Sequence, residues 1–482
     1  MTRTPSRPAR AAVLALTASA LVLSACAGLP PAGPAARPKP AADYASAQTF
    51  AAPGRDFPAD AWWRAYQDPS LDALIEEGLR GSPTLAAAQA RVAKAEALQA
   101  QAGARELPTL TAQASVQDVK LSYNNGIPPA FTPQGLNGAG LVGLNFSYEF
   151  DFWGKNRAAV AAAASETRAA EAQAAEARLA LSTGIAGAYA DLVRLYAERD
   201  VAEQALRVRQ DTVTLVSDRV ANGLDTRAEL SQAQAGAPTA RERIAAIDED
   251  IAIAKNRIAA LMGEGPDRAL AIGRPGQLQI AAFGLPARLS ADLVGRRPDV
   301  AAARWRAEAA ASRIGVAKAQ FYPDINLVAL AGFQSLGLSK LFASGSDMLQ
   351  AGPALTLPIF EGGALRANLK GARADYAEAV AVYDGTVARA FQETADAAAS
   401  ERALGTRLSE AQQALAANED AWRTASLRYR GGLATYQSVL LAEDAMLQSR
   451  LTAADLQARA FALDVALIKA LGGGFEAPTP SA

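Results

Sequence analysis

Cys26 is the only thiol among the 482 residues, and the chain contains no histidine. A lone cysteine can be acylated or alkylated. It cannot form a disulfide within its own chain, pair with an imidazole as an activated nucleophile, or complete a Cys/His zinc site. Catalysis would have to run on carboxylates, hydroxyls, lysine and arginine, and no paired-acid motif stands in a recognisable site. The sequence therefore predicts neither an enzyme nor a cofactor. The formal net charge of −1 argues against nucleic acid as a partner, because neutralising phosphates needs a clustered excess of Lys and Arg. The other residues that could do something specific form two matching sets: Arg219, Gly223, Leu224 and Thr226, then Arg428, Gly432, Leu433 and Thr435. In each, glycine permits a tight turn and the leucine beside it offers a projecting apolar contact. The plain alternative is that any turn between two helices wants glycine and that the leucine packs inside its own chain.

The cysteine has a telling context. Arg3, Arg7 and Arg10 precede an apolar run from Ala11 to Ala25, which reads as a secretory signal, too short and wrongly flanked for a spanning helix. Leu23-Ser24-Ala25-Cys26 resembles the bacterial lipobox, in which residues up to the cysteine are removed and the cysteine is lipidated, with palmitate among the expected acyl chains. By the same resemblance, Ala27 in place of an aspartate implies sorting to the outer membrane. An ordinary signal peptide with an incidental cysteine is the alternative. Several acyl chains, at roughly 0.8 kcal/mol per buried CH₂, anchor firmly. An intact mass showing no acyl group on Cys26 would remove this reading. Residues 26–60 are rich in Pro and Ala and read as an extended tether.

The elements that present the two glycine turns are long. Lys155 to Ala221 is a proline-free, alanine-rich run ending at Asn222-Gly223. Leu181, Ala188, Leu195, Ala202 and Val216 repeat at seven-residue spacing, as do Ile185, Leu192, Leu206, Val213 and Val220, giving a coiled-coil seam interrupted only by Arg199 and Arg209. A helix of that length would span roughly 100 Å, which no compact domain needs. Half of the residues are hydrophobic but only 6% are aromatic, a composition that favours close helix packing over one large globular core. Charged residues such as Glu171, Glu176, Glu198 and Arg199 read as solvated helix surface.

The whole unit is written twice. Residues 61–263 form a first repeat: a helix from Pro83, a strand pair within 107–152, the long helix 155–221, a tip at 222–225 and a return helix 226–262. Residues 298–472 repeat the order: a helix from Pro298, strands within 322–360, a long helix 363–430, a tip at 431–434 and a return helix 435–471. A linker, 264–297, joins them, and 473–482 form a tail. The first strands are expected at 109–121 and 324–334, the returning strands at 140–152 and 349–360. Glycine closes each return helix at Gly263 and Gly472, a usual position. Pro238 should kink or break the first return helix. Self-similarity of this kind marks an internal duplication.

Along the second strand, Val142, Leu144, Phe146, Tyr148 and Phe150 face one way, and Leu141, Gly143, Asn145, Ser147 and Glu149 face the other. About ten alternating residues suit a tilted membrane strand, though a soluble hairpin explains each segment almost as well. Four strands cannot close a barrel, for which about eight is the usual minimum. They form a soluble sheet, or several chains pool their strands.

These features resemble the outer membrane factors of the TolC type, and within them the lipoprotein efflux subfamily called NodT-like. The resemblance runs from Trp62 to Gly474. It rests on Trp62-Trp63-Arg64-Ala65-Tyr66-Gln67-Asp68-Pro69-Ser70-Leu71, Gly284-Leu285-Pro286, Arg296-Arg297-Pro298-Asp299-Val300, Arg313 to Pro323, Pro358-Ile359-Phe360-Glu361-Gly362-Gly363 and Lys469 to Gly474. Each motif alone is weak; in this order on a duplicated unit they are specific.

The resemblance implies a mainly α fold with β: a homotrimer in which each chain lends four strands to a twelve-stranded outer-membrane β-barrel set on a periplasmic α-helical barrel. The linker and chain ends would form an equatorial girdle. Such channels conduct passively for an inner-membrane transporter, most often of the resistance-nodulation-division (RND) type, joined through a periplasmic membrane-fusion adaptor. The resemblance assigns adaptor docking to the tips, on Arg219, Gly223, Leu224, Thr226, Arg428, Gly432, Leu433 and Thr435. It also implies a periplasmic gate, but where the family carries carboxylates in the second hairpin this chain has Ser438 and Leu441; Glu229, in the first, does match. A ring of leucines would constrict by dewetting where a ring of carboxylates would favour cations. The rival reading is a lipid-anchored coiled-coil protein without a pore.

Overall fold

A computed structural model describes residues 36–477 apart from Asn125, Ile127 and Arg288. Cys26, with the signal segment and its lipidation, lies outside the described residues. The chain divides into two compact units, one drawing on Ala93–Ala169 and Ala303–Val382, the other on Lys39–Val92, Ala170–Ala302 and Tyr383–Ala482.

The first unit holds a four-stranded antiparallel sheet in sequence order: β1 Thr109–Val119, β2 Asn137–Glu149, β3 Asp324–Leu336 and β4 Asp347–Thr356. Its registers place side chains of like character on one face. Leu110 pairs with Phe146, and Phe146 with Ala329; Ala112 pairs with Leu144, Leu144 with Ala331 and Ala331 with Leu349. The opposite face is mostly polar along β1 and β2, with Thr111, Gln113 and Ser115 beside Asn145, Gly143 and Leu141, while β3 sets Val328, Leu330 and Leu336 there along with Gln334. A sheet apolar on one side across all four strands follows from period-two alternation kept in phase by register. The apolar side is solvent-exposed in the isolated chain, at Leu110, Val142, Leu144, Leu349 and Leu355 among others. β1 and β4 each leave one edge unpaired.

Each strand differs from the sequence expectation at one end or both: β1 stops at Val119 rather than 121, β3 runs on to Leu336 rather than 334, and β4 begins at Asp347 rather than 349. β2 begins at Asn137 and stops at Glu149 rather than running from 140 to 152. Past Phe150, the carboxylate of Asp151 accepts from the Arg157 backbone N–H at 2.9 Å, and Gly154 takes φ +75°, which turns the chain into the long helix. β4 ends at Thr356 rather than at 360, opposite Asp324, the first residue of β3 after Pro323.

The long helices span Lys155–Ala221 and Ala364–Arg430, and the return helices Arg227–Met262 and Tyr436–Ala470. Among the described residues no helix is long and apolar enough to cross a membrane. In the second unit the upper seam of the first long helix, Leu181, Ile185, Ala188, Leu192 and Leu195, is buried against Ile247, Ile251, Ile258 and Met262 of its return helix. Trp62, Tyr66, Leu71, Ile75 and Phe461 complete that core; each such aliphatic side chain contributes about 1.5–3 kcal/mol. Asp68 caps the helix Pro69–Gly81 by accepting from Ser70 N at 2.8 Å, and the Tyr189 hydroxyl donates to its other oxygen at 2.6 Å. That bond to a carboxylate, after the burial that contributes most, raises the Tyr189 pKa above its usual value.

The two arginines that interrupt the seam are ion-paired. Arg199 donates to Asp248 at 2.6 Å across to the return helix and to Glu203 at 2.6 Å along its own. Arg209 lies 3.5 Å from Glu443 and 3.4 Å from Asp444 of the second return helix. Glu198, expected as solvated surface, is instead buried between Arg194 and Arg243, since a charge that two guanidiniums embrace can leave water.

Pro238 does not break its helix, which is continuous from Arg227 to Met262. Pro238 removes only the donor to the Gln234 carbonyl, one bond of a 36-residue helix that is packed on its neighbour at Ile247, Ile251 and Ile258. The expected tether is also fastened from Lys39 onward. The Lys39 N–H donates to Asp384 at 2.9 Å, Tyr44 and Phe50 stack on Phe391, Arg402 holds the carbonyls of Thr49 and Ala51, and Arg55 pairs with Asp464 at 3.0 Å.

Candidate functional site

The two glycine turns have nearly the same backbone. Leu224 N–H donates to the Arg219 carbonyl at 2.9 Å and Leu433 N–H to that of Arg428 at 2.8 Å; Gly223 and Gly432 N–H groups bond to Val220 and Tyr429 carbonyls, both at 3.0 Å. This is the Schellman arrangement, and it needs a left-handed residue: Gly223 has φ +68° and Gly432 φ +72°. Leu224 and Leu433 project from the turns, 64% and 73% exposed. An intramolecular packing role for these leucines does not fit that exposure.

The side chains around the turns are less alike. Thr226 and Glu229 form a capping box: the Glu229 carboxylate accepts from Thr226 N–H at 2.7 Å and Thr226 Oγ1 accepts from Glu229 N–H at 3.4 Å. Thr435 starts its helix without a side-chain cap, its hydroxyl lying 3.1 Å from that of Ser438. Leu441 is 62% exposed. Glu443, by contrast, is buried, with Thr212 donating to it at 3.3 Å and Arg209 beside it; burial raises its pKa and Arg209 opposes that rise.

The two tips meet through a three-way tie that the sequence reading missed. Arg219 Nε donates to Asp225 Oδ2 at 2.8 Å, its Nη1 to the Tyr429 carbonyl at 2.9 Å, and its guanidinium lies 4.4 Å from the centre of the Tyr429 ring. The Tyr429 hydroxyl donates to the same Asp225 oxygen. Arg219 and Asp225 side chains are only 12% and 7% exposed. Burial pushes the Asp225 carboxyl up, but the bonds from Arg219 and Tyr429 outweigh it and hold it below the usual carboxylate range. Beneath the tie, Val216, Ala233, Tyr429, Tyr436 and Val439 form a small apolar cluster. Of the expected docking residues, Arg219 is thus occupied inside the chain, whereas Arg428 is exposed. Asp225 beside a glycine turn was the available signal; its partner Tyr429 lies too far along the sequence to be paired with it by spacing.

The description "outer membrane efflux protein" fits residues 74–264 and 289–473 as a family match. The chain belongs to that family. It is 31% identical to the multidrug resistance outer membrane protein MdtP of Escherichia coli K12 over 87% of this chain and 88% of that one. It is 37% identical to the fusaric acid resistance protein FusA of Burkholderia cepacia over 75% of this chain and 69% of that one. The crystal structure of the outer membrane protein VceC from Vibrio cholerae superposes with a TM-score of 0.83 at 48% identity, covering 87% of this chain and 100% of that one. The fold is TolC-like, as expected.

Proposed function

We infer that the protein is the outer-membrane exit channel of a tripartite efflux system, conducting passively what an inner-membrane transporter, of the RND type, delivers through a periplasmic adaptor. One observation carries this reading: an exposed apolar sheet face, continuous over four strands with two unpaired edges. Such a surface is an aggregation hazard in water. It is satisfied if three copies join edge to edge into a twelve-stranded barrel with the apolar face in lipid. A soluble coiled-coil protein would have no use for it. The homotrimer and the lipid on Cys26, which would fix the periplasmic tether to the outer membrane, belong to this reading.

The exposed Leu224 and Leu433 support adaptor docking at the tips. Gly223 and Gly432 have open space where a Cβ would stand, so a bulky residue there would project from the docking surface at a backbone cost of about 1–2 kcal/mol each. Changing both to valine is expected to abolish site-specific crosslinking to the adaptor while trimers still reach the outer membrane; undiminished crosslinking would count against docking at the tips. The periplasmic mouth is read as narrowed by Leu441 rather than by carboxylates, since Glu229 is engaged in capping. Leu441→Ala is expected to raise single-channel conductance, and an unchanged conductance would reject a leucine constriction.

A further inference from the structure

Both long helices have 67 residues, and one offset of 209 relates Gly223 to Gly432 and Gly263 to Gly472. Every residue of the first helical hairpin therefore has a single counterpart in the second. If copies close into a ring in which first and second hairpins alternate, two kinds of joint arise. One runs from first to second hairpin within a chain, the other from the second hairpin to the first of the next chain. The duplication makes them versions of one joint, so residues of the visible joint identify those of the other.

The joint within the chain is charged. At the tip it holds Arg219, Asp225 and Tyr429; a little further along it holds Arg209 against Glu443. Replacing each residue by its counterpart gives Arg428, Ala434 and Val220 at the tip, and Asn418 with Gln234 further along. Both acids and the tyrosine are gone. The tip arginine alone remains, and it sits on the same turn, as the matching bonds from Leu224 N–H and Leu433 N–H demonstrate. Arg428 is exposed, and no side-chain bond to it exists among the described residues. Leu427 and Leu433 beside it are exposed as well.

A guanidinium that in one joint binds a carboxylate bonded by a tyrosine is, in the other, presented without either. What complements it is an acid from outside the chain, on an element with an apolar surface to cover the leucines; charge-assisted bonds of this kind select partners strongly. We propose that the groove between the tips of neighbouring copies receives an Asp or Glu side chain of the adaptor, seated on Arg428 as Asp225 is seated on Arg219. Arg219 in the groove within each chain takes no such residue, because Asp225 and Tyr429 already bond to it. The proposal rests on the channel reading above, and adds to it which of the two grooves binds and with what chemistry.

The test uses the full-length protein in detergent, immobilised, and synthetic helical-hairpin peptides that differ only in carrying Glu, Gln or Lys at the turn. The Glu hairpin is expected to bind about tenfold more tightly than the Lys hairpin. Arg428→Glu should invert that order, while Arg430→Glu, a charge change two residues away, should leave it. Equal binding of Glu and Lys hairpins, no binding of any, or an order that Arg428→Glu does not invert would overturn the proposal. So would an Arg428→Glu variant that weakens the trimer and leaves the peptide order alone, since the acid would then come from the neighbouring copy. Pore formation by the same preparation separates the two levels. Pores without charge selection overturn the docking chemistry alone; absence of pores removes the channel reading.

Discussion

Asp225→Ala is expected to loosen the first tip by about 2–3 kcal/mol while leaving the rest of the helical hairpins intact. The substitution removes the carboxylate on which Arg219 and Tyr429 converge. It leaves a guanidinium that is mostly withdrawn from water with only the Tyr429 carbonyl and ring as partners, and stranding one member of a buried pair is the costly way to break it. Amide hydrogen exchange at residues 216–230 should quicken by roughly 30- to 150-fold, in keeping with that energy. Exchange around Ile185 and Ile258, in the other core, should not change. Tyr429→Phe should cost about 1 kcal/mol, and the double variant less than the sum, since all three groups share one oxygen. Acid should act in the same direction. The folded-state pKa of Asp225 is depressed, so its contribution is complete above the ordinary carboxylate value of about 4 and is lost as pH falls below it. Additive single and double variants would contradict the tie.

Gly472→Ala should be more damaging still. Gly472 closes the last return helix at φ +91°, and a Cβ built on it would stand 1.9 Å from the Arg296 carbonyl oxygen and 2.8 Å from its carbon. The obstacle is backbone, not the end of a flexible side chain. Added to the left-handed penalty of about 1–2 kcal/mol, this clash is expected to cost more than about 4 kcal/mol, in the range where single substitutions unfold a domain. Little folded protein should be recovered. Gly223→Ala is the control: it also has a left-handed φ, +68°, but open space around it, so only the left-handed penalty of about 1–2 kcal/mol is expected. Equal melting temperatures for the two variants would refute the argument from close approach. The counterpart Gly263 meets Pro83 Cδ at 2.7 Å and the Gly81 carbonyl at 2.8 Å, so both repeats use a glycine to bring a helix end against backbone.

These two sites also mark what can be read from sequence and what cannot. The bounds of the first long helix follow from local signals, a proline-free run between Gly154 and Asn222-Gly223, and the structure begins and ends it at Lys155 and Ala221. Period-two alternation in β2 names its apolar face, and the registers with β1 and β3 extend that face. The strand ends were misjudged where a side chain rather than a pattern decides, as with Asp151 capping Arg157. Pro238 misled because propensity is local, whereas the packing that keeps the helix continuous comes from another helix. The tip tie was invisible for a related reason. Tyr429 is 204 residues from Asp225, and the duplication that revealed the two turns as alike concealed that Asp225 faces Tyr429 while Ala434 has no such partner. Comparing the repeats for their differences, rather than their likeness, would have singled out Asp225, Arg428 and Tyr429.

The central claim is that exposed sheet faces from several chains combine into a pore. Purified full-length protein added to a planar lipid bilayer tests it most directly. Discrete, reproducible conductance steps from a preparation whose mass corresponds to three chains are predicted. A preparation that stays monomeric, or trimers that never raise the conductance of the bilayer, would contradict it.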